Sequence, residues 1–289
     1  ASKKNTKNIN SMNPYTPKNP FMATLVEKRC LNPEKGEKET LHFKLDLTGS
    51  GIRYETGDIL GIIPKNDPKE VQALLRSLEF KGTETVLWGK EQKPYSIREV
   101  LEEKACIRFV PAKILTALLE RMESAEQKKE LGLLFDPACS ESLKSFQCNH
   151  SLLDVAEKYN SAIFDPQEYI DTLTRLRPRL YSIASSPKKS ENHIELVISI
   201  VRYHLNEREY GGVASTFMAD RVELDTPSVP IFLAKSTFRL PEAPDTDVIM
   251  VGPGAGIAPF RSFLQERDLS GAKGKTWLFF GDQHRASGC

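Results

Sequence analysis

From Leu41 to Leu47 the chain alternates. Leu41, Phe43, Leu45 and Leu47 fall on one face of an extended segment, and His42, Lys44 and Asp46 on the other. That spacing predicts a half-buried antiparallel strand over residues 40–48, with His42 at the surface. Tyr54 to Asp58 read as a turn, and residues 59–63 as a second, more buried strand. After Pro64 the period changes from two to 3.6. Asp67 as N-cap, Pro68 at the first helical position and Glu70 completing a capping box open a helix, and Val71, Leu74, Leu75 and Leu78 share its apolar face. Residues 96–104, 112–131, 151–159 and 166–175 are expected to be helical in the same way, the second with Ile114, Leu115, Leu118, Leu119 and Met122 on one side. Period two returns at residues 179–186 and 194–201, where Ile194, Leu196, Ile198 and Ile200 alternate with Glu195, Val197, Ser199 and Val201. A polar break from Leu205 to Tyr210 precedes a glycine turn, a helix over residues 214–221 and a strand over 229–234. Residues 248–251 form an apolar run of the kind buried on both faces in a parallel sheet. A helix over 258–267 and a strand over 276–280 complete one β-α-β unit.

Three stretches carry candidate chemistry. In Arg179-Leu180-Tyr181-Ser182 an extended chain places a guanidinium fork, an aromatic face and a hydroxyl within four positions. The fork suits a pyrophosphate, the ring suits stacking and the hydroxyl suits a ring nitrogen, which together describe a flavin dinucleotide site. Gly211-Gly212 permits a close backbone approach just before a helix N-terminus, a natural phosphate cradle to which Ser215 adds a hydroxyl. Gly252-Pro253-Gly254-Ala255-Gly256 follows a strand and precedes a helix, the setting of a dinucleotide turn. Each has a plainer reading as an ordinary strand or turn; their order and number favour the chemical one.

Those stretches, with Tyr54-Glu55-Thr56-Gly57-Asp58, Phe238-Arg239-Leu240-Pro241 and Trp277-Leu278-Phe279-Phe280-Gly281, resemble the ferredoxin–NADP reductase superfamily. The resemblance is closer to the diflavin reductases, the group of cytochrome P450 reductase and the flavoprotein subunits of NADPH-dependent sulfite reductases, and nearest to the latter. It runs from about Asn19 to Gly281. It implies a β-barrel flavin-binding domain with an inserted helical subdomain, followed by a Rossmann-like α/β nucleotide-binding domain. The expected boundaries are a disordered basic tail or linker at 1–20, the FAD-binding antiparallel β-barrel at 21–64 and 176–240, the helical connecting insertion at 65–175, and the start of the NADP-binding domain at 245–289. One β-α-β unit is less than a doubly wound sheet needs, so the last domain is expected to be truncated, and the flavin of this chain to be reduced by NADPH slowly or not at all.

Residue roles follow from the resemblance. Arg179, Leu180, Tyr181 and Ser182 form the flavin motif, with Tyr181 along the isoalloxazine and Ser182, the catalytic candidate, near N5. Val197, Ile198 and Ser199 contact FAD through backbone groups, Tyr203 meets the adenosine half, and Gly212, Val213, Ala214 and Ser215 hold the pyrophosphate. For NADP the matching positions are Arg53, Gly252, Gly254, Ala255 and Gly256. Ala255 departs from the usual threonine, a loss of one hydrogen bond worth about 0.5–1.5 kcal/mol. The implied chemistry is hydride transfer from NADPH to FAD. Electrons then pass to an acceptor protein, either an FMN module or a sulfite reductase haemoprotein. Two further readings are a flavin-binding module that is not catalytically self-sufficient and a one-protein ferredoxin–NADP reductase; the helical stretch at 65–175 speaks against the second.

Composition narrows the classes. With 40 basic and 39 acidic residues the chain is not a basic nucleic-acid binder, and it has no apolar run long enough for a membrane span. The first residues lack the apolar core of a secretory signal. The five cysteines, Cys30, Cys106, Cys139, Cys148 and Cys289, form no CxxC pair, which favours ordinary thiols in a reducing, cytoplasmic setting and gives no metal site.

Overall fold

A computed structural model of the protein describes residues 13–32, 38–136 and 140–282, with the side chain of Ser140 left aside. Residues 1–12 of the expected tail, Cys139 and Cys289 lie outside them. The chain divides into two compact units. The first comprises Ala1–Ile63, Leu180–Ser199 and Val222–Cys289; the second comprises Pro64–Arg179 and Ile200–Arg221.

The first unit is built on a six-stranded sheet in the order β6-β3-β10-β1-β2-β7. Its strands are β1 (Phe21–Cys30), β2 (Glu39–Asp46), β3 (Ile59–Ile62), β6 (Arg179–Ser182), β7 (His193–Ile200) and β10 (Pro227–Ala234). β1 pairs antiparallel with both β2 and β10, and β10 with β3. The sheet has two ends rather than a closed ring. Just past β6, the Ala184 N–H donates to the Glu195 carbonyl at 2.8 Å. Leu41, Phe43, Leu45 and Leu47 are buried as their alternation requires, but His42 is buried too, at 4% exposure. Its polar neighbours explain why, since Glu195 and Glu27 flank its ring. β7 likewise shows no polar face over Ile194 to Ile198, all of which are buried; only Ser199 is exposed. The register with Ala184 and the ion pairs of Glu195 satisfy polar groups that alternation alone would have sent to water.

The same unit holds a two-stranded parallel sheet of β11 (Val248–Val251) and β12 (Thr276–Phe279), with α9 (Ala258–Ser270) between them in sequence. Gly271 ends α9 in the left-handed conformation at φ 67°. The expectation of a strand buried on both faces fails here: Met250 is buried, while Ile249 and Val251 are 70% and 64% exposed. β11 pairs with one strand, β12, among the described residues.

The second unit is helical around one apolar core that includes Val71, Leu75, Leu101, Leu115, Leu118, Leu152, Tyr169 and Ile170. Its helices are α1 (Pro68–Ser77), α2 (Ile97–Glu99, continued as a wider turn over Val100–Lys104), α3 (Ala112–Arg121), α4 (Ala125–Gly132), α5 (Ser140–Asn149), α6 (Leu152–Lys158), α7 (Pro166–Asp171) and α8 (Val213–Thr216, continued over Phe217–Arg221). Asp67 caps α1 through the Lys69 N–H at 2.8 Å. The expected capping box does not form, because Glu70 turns instead to Arg108. A complete capping box sits at α6, where Ser151 and Asp154 exchange bonds. The single helix expected over 112–131 is two, parted at Met122, whose extended ψ of 134° ends α3 before Ser124 caps α4.

Two hairpins interrupt the helices. β4 (Thr85–Trp88) pairs with β5 (Lys93–Ser96), and β8 (Arg202–Leu205) with β9 (Arg208–Gly211). The polar stretch expected only as a break is thus a two-residue hairpin turn, with Asn206 and Glu207 both at positive φ, 49° and 63°.

Candidate functional site

β6 presents the Arg179-Leu180-Tyr181-Ser182 motif as an edge strand of the first unit's sheet. Leu180 is 58% exposed, and Tyr181 and Ser182 are half-buried. Arg179 is exposed, and its Nη1 donates to the Arg177 carbonyl at 2.8 Å. The strand is pinned where it ends: the Ile183 N–H donates to the Asp58 carbonyl at 3.2 Å. On β7, Val197 and Ile198 are buried, and the Ser199 hydroxyl lies 3.5 Å from that of Thr40.

Asp58 is fully buried and is the centre of a clamp that the sequence did not disclose. Its carboxylate accepts from the Glu55 N–H at 2.9 Å, from Lys235 at 2.9 Å and from Arg239 at 2.5 Å. Burial pushes its pKa up, but those donors outweigh burial and hold it below the usual carboxylate value. Gly57, at φ 91°, lies so close to the Phe238 backbone that a Cβ would stand 1.8 Å from its carbonyl oxygen. The two matching stretches at 54–58 and 238–241 are therefore one piece of structure. Arg53 is exposed between buried Ile52 and Tyr54. The Tyr54 hydroxyl meets Ser185 at 2.9 Å and the His193 carbonyl at 3.0 Å, and burial together with the Glu195 and Glu266 charges lifts its pKa to about 12.

The glycine turn of the first unit folds as a single tight turn, Gly254–Ile257, leading into α9. Gly252 is enclosed: a Cβ there would meet Phe260 at 2.7 Å and the Gly256 carbonyl oxygen at 3.1 Å. Gly254 has φ 52°, and its N–H donates to the Gly281 carbonyl at 2.8 Å. Nothing would crowd a Cβ at Gly254, and at Gly256 the nearest atom is 3.7 Å away, so the face they leave has room. Ala255 packs against a small apolar cluster of Ala184, Val197 and Ala258. A methyl fits that contact better than the usual threonine's hydroxyl.

In the second unit, Gly212 is the N-cap residue of α8, and no side chain caps the helix. The first-turn N–H groups of Val213, Ala214 and Ser215 thus keep the donor capacity of a helix start. Gly212 donates to the Val201 carbonyl at 2.8 Å, and a Cβ on it would stand 2.7 Å from the Ser215 hydroxyl. That hydroxyl is buried, accepts from the Val201 N–H at 3.2 Å and donates to the Gly212 carbonyl at 3.2 Å. It shapes the loop. Tyr203 is 39% exposed, with one side set 5.9 Å from Tyr210. Tyr210 is buried, bonded to Ser151 at 2.8 Å and covered by Arg108 at 4.6 Å. Tyr203 is thereby an aromatic face on a braced support. Among the described residues no cluster of His, Cys, Asp and Glu forms a metal site, and no helix is long and apolar enough to cross a membrane.

A sheet edge carrying cation, ring and hydroxyl, an uncapped glycine-led helix start and a roomy glycine turn after a parallel strand define a class: oxidoreductase domains that take dinucleotides. The chain belongs to the FAD binding domain family, whose profile matches residues 13–217. The profile of the oxidoreductase NAD-binding domain matches residues 250–287. Among curated proteins, the chain is similar to the sulfite reductase [NADPH] flavoprotein alpha-component of Bacillus subtilis (strain 168), with 39% identity over 272 residues, 93% of this chain and 44% of that protein. The proteins of the same name from Salmonella typhimurium and Cronobacter sakazakii are 40% and 38% identical over 274 and 280 residues, covering 94% and 96% of this chain. The chain spans under half the length of these relatives, 44–45%.

Proposed function

We propose that this chain is the FAD-bearing and nucleotide-binding part of an NADPH-dependent flavoprotein reductase of the sulfite reductase type. The carrying observation is the uncapped start of α8 at Gly212, in a chain whose β6 displays Arg179, Tyr181 and Ser182. Helix-start N–H groups and an exposed guanidinium both address a pyrophosphate, which FAD has and FMN lacks. Val213, Ala214 and Ser215 would offer their backbone N–H groups to it and Arg179 its fork. Tyr181 would lie along the flavin ring, Ser182 would hold a proton-bearing hydroxyl at its N5 edge, and Leu180, Val197, Ile198 and Ser199 would line it. Tyr203 would take the adenine side. Arg53, Gly252, Gly254, Ala255 and Gly256 would receive the nicotinamide nucleotide. Bound FAD supplies the redox chemistry, accepting a hydride and releasing electrons singly, while the protein orients it and excludes water.

The proposed domains are an FAD-binding antiparallel β-barrel at 21–64 and 176–240, a reading supported by the Ala184–Glu195 hydrogen bond between the segment just past β6 and β7, a helical insertion at 65–175 and a nucleotide-binding domain at 245–289. The name shared by the relatives, alpha-component, supports an acceptor protein as partner, an FMN module or a haemoprotein. FAD-loaded full-length protein is expected to oxidise NADPH with ferricyanide as acceptor. Protein that takes up no FAD on reconstitution contradicts the proposal.

A further inference from the structure

Arg261 belongs to no motif described so far, yet it makes a direct polar link between the start of the glycine turn's helix and the segment that follows Ser182. It lies in the first turn of α9, five residues after Gly256. Its Nη1 donates to the Ala184 carbonyl at 2.6 Å and lies 2.5 Å from Glu195 Oε2. Ala184 is two residues beyond Ser182, and its N–H is bonded to the Glu195 carbonyl. Arg261 therefore grips both members of one rung, backbone on one side and carboxylate on the other.

Glu195 is built to serve that grip. Its side chain is 7% exposed, and it also accepts from His42 at 3.1 Å and from Lys189 at 3.0 Å. The Ser185 hydroxyl accepts from its N–H at 3.0 Å, so backbone and side chain are both fixed. A buried carboxylate with three cationic or hydrogen-bonding partners has one position available. Beside the ion pair, the seam is lined with small residues: Ala184, Ala258 and Ala255 with Val197. Small side chains permit close approach but give little directional hold. Directional hold comes from the guanidinium nearest the glycine turn and, further along α9, from Gln265 and Glu266, which accept from the Ser186 N–H at 3.0 Å and the Ser186 hydroxyl at 2.5 Å.

We infer that Arg261, fixed by Glu195, is a positioning residue that sets the register of the glycine turn against the flavin strand. The inference rests on the reading of those two segments given above. Hydride transfer needs reacting atoms held about 3–3.5 Å apart, and misplacement by about 1 Å costs on the order of a hundredfold. Loss of the grip therefore acts on the rate of reduction more than on the affinity for either ligand.

The test uses FAD-loaded full-length protein and three variants, Arg261→Met, Arg261→Lys and Glu195→Gln. The limiting rate of flavin reduction and the NADPH dissociation constant come from stopped-flow mixing, and the visible circular dichroism of bound FAD from the same samples. Arg261→Met is expected to slow reduction by roughly ten- to a hundredfold. It should leave the dissociation constant and the FAD content close to wild type and alter the flavin dichroism. Lysine, which keeps a donor for the Ala184 carbonyl and a charge for Glu195, is expected to restore most of the rate. A wild-type rate and dichroism in Arg261→Met overturns the inference. So does a loss of rate, affinity and melting temperature together that lysine fails to rescue. If Arg261→Met yields no folded protein, Glu195→Gln decides: slower reduction with an altered dichroism supports the inference, and wild-type behaviour overturns it. Wild-type full-length protein that takes up no FAD, or whose flavin NADPH does not reduce, would instead refute the functional proposal.

Discussion

Replacing Asp58 by Asn tests the clamp that joins the 54–58 turn to the 238–241 stretch. The carboxylate is wholly buried and has three donors: the Glu55 N–H, Lys235 and Arg239. The amide has nearly the same shape, so the loss is chiefly of charge. One amide oxygen can retain one donor, while the NH2 group faces another donor. Hydrogen bonds to a charged group are each worth about 1.5–3 kcal/mol. The Lys235 and Arg239 side chains are 59% and 30% exposed, so water recovers part of what they lose. The expected net cost is about 2–3 kcal/mol, or roughly 4–12 °C in melting temperature at about 2–4 °C per kcal/mol for a chain of this class. The pH dependence has a definite sign. A carboxylate with a lowered folded pKa stabilises the fold above its unfolded value of about 3.9, and that stabilisation is lost as pH falls through the folded value. The gap between wild type and Asp58→Asn should therefore be constant from about pH 8 to pH 5 and shrink below about pH 4. Urea titration across that range measures the gap, and hydrogen exchange of the Glu55 amide reports the clamp locally. A gap under about 0.5 kcal/mol at pH 7, the size of an ordinary surface change, would refute the reasoning. So would a gap that persists unchanged in acid.

Arg179→Ala is expected to weaken FAD binding by about 1.5–3 kcal/mol, measured as retention of FAD through gel filtration and by titration of apoprotein; unchanged retention counts against the role of Arg179. Gly57→Ala places a Cβ 1.8 Å from the Phe238 carbonyl oxygen at a φ of 91°, so it should destabilise by several kcal/mol, about 3 or more, as strain and overpacking combine; a melting temperature within about 2 °C of wild type, under 1 kcal/mol for this size, would show that the contact yields.

The elements were legible where one signal governed. Val71, Leu74 and Leu75 face the core of α1 as their spacing requires, and Asp67 caps it. The strand–turn–helix order around Gly252 is also as the residues imply. Legibility failed where long-range partners decided. His42 follows a polar alternation, yet Glu195, far away in sequence, gives it a buried partner. Glu70 fits a capping box but is drawn to Arg108. Asn206-Glu207 lacks the glycine that marks a tight hairpin turn, so β8 and β9 read as a break. The Asp58 clamp and the Arg261 grip left no local trace; a lone acid inside the apolar run of β7, Glu195, was the one available hint. The candidate flavin and nucleotide residues were nameable from the sequence through resemblance, and a strand with a surface Arg179 and a half-buried Tyr181 was legible from the residues, but not the loop-shaping role of the Ser215 hydroxyl.

The most direct test of the central claim is a titration of apoprotein with FAD and, separately, with FMN, followed by quenching of flavin fluorescence. On the proposal that Arg179 and the uncapped start of α8 both address a pyrophosphate, FAD should bind at least about a hundredfold more tightly, the ratio that about 2.7 kcal/mol confers. Equal affinity for the two flavins would contradict the account.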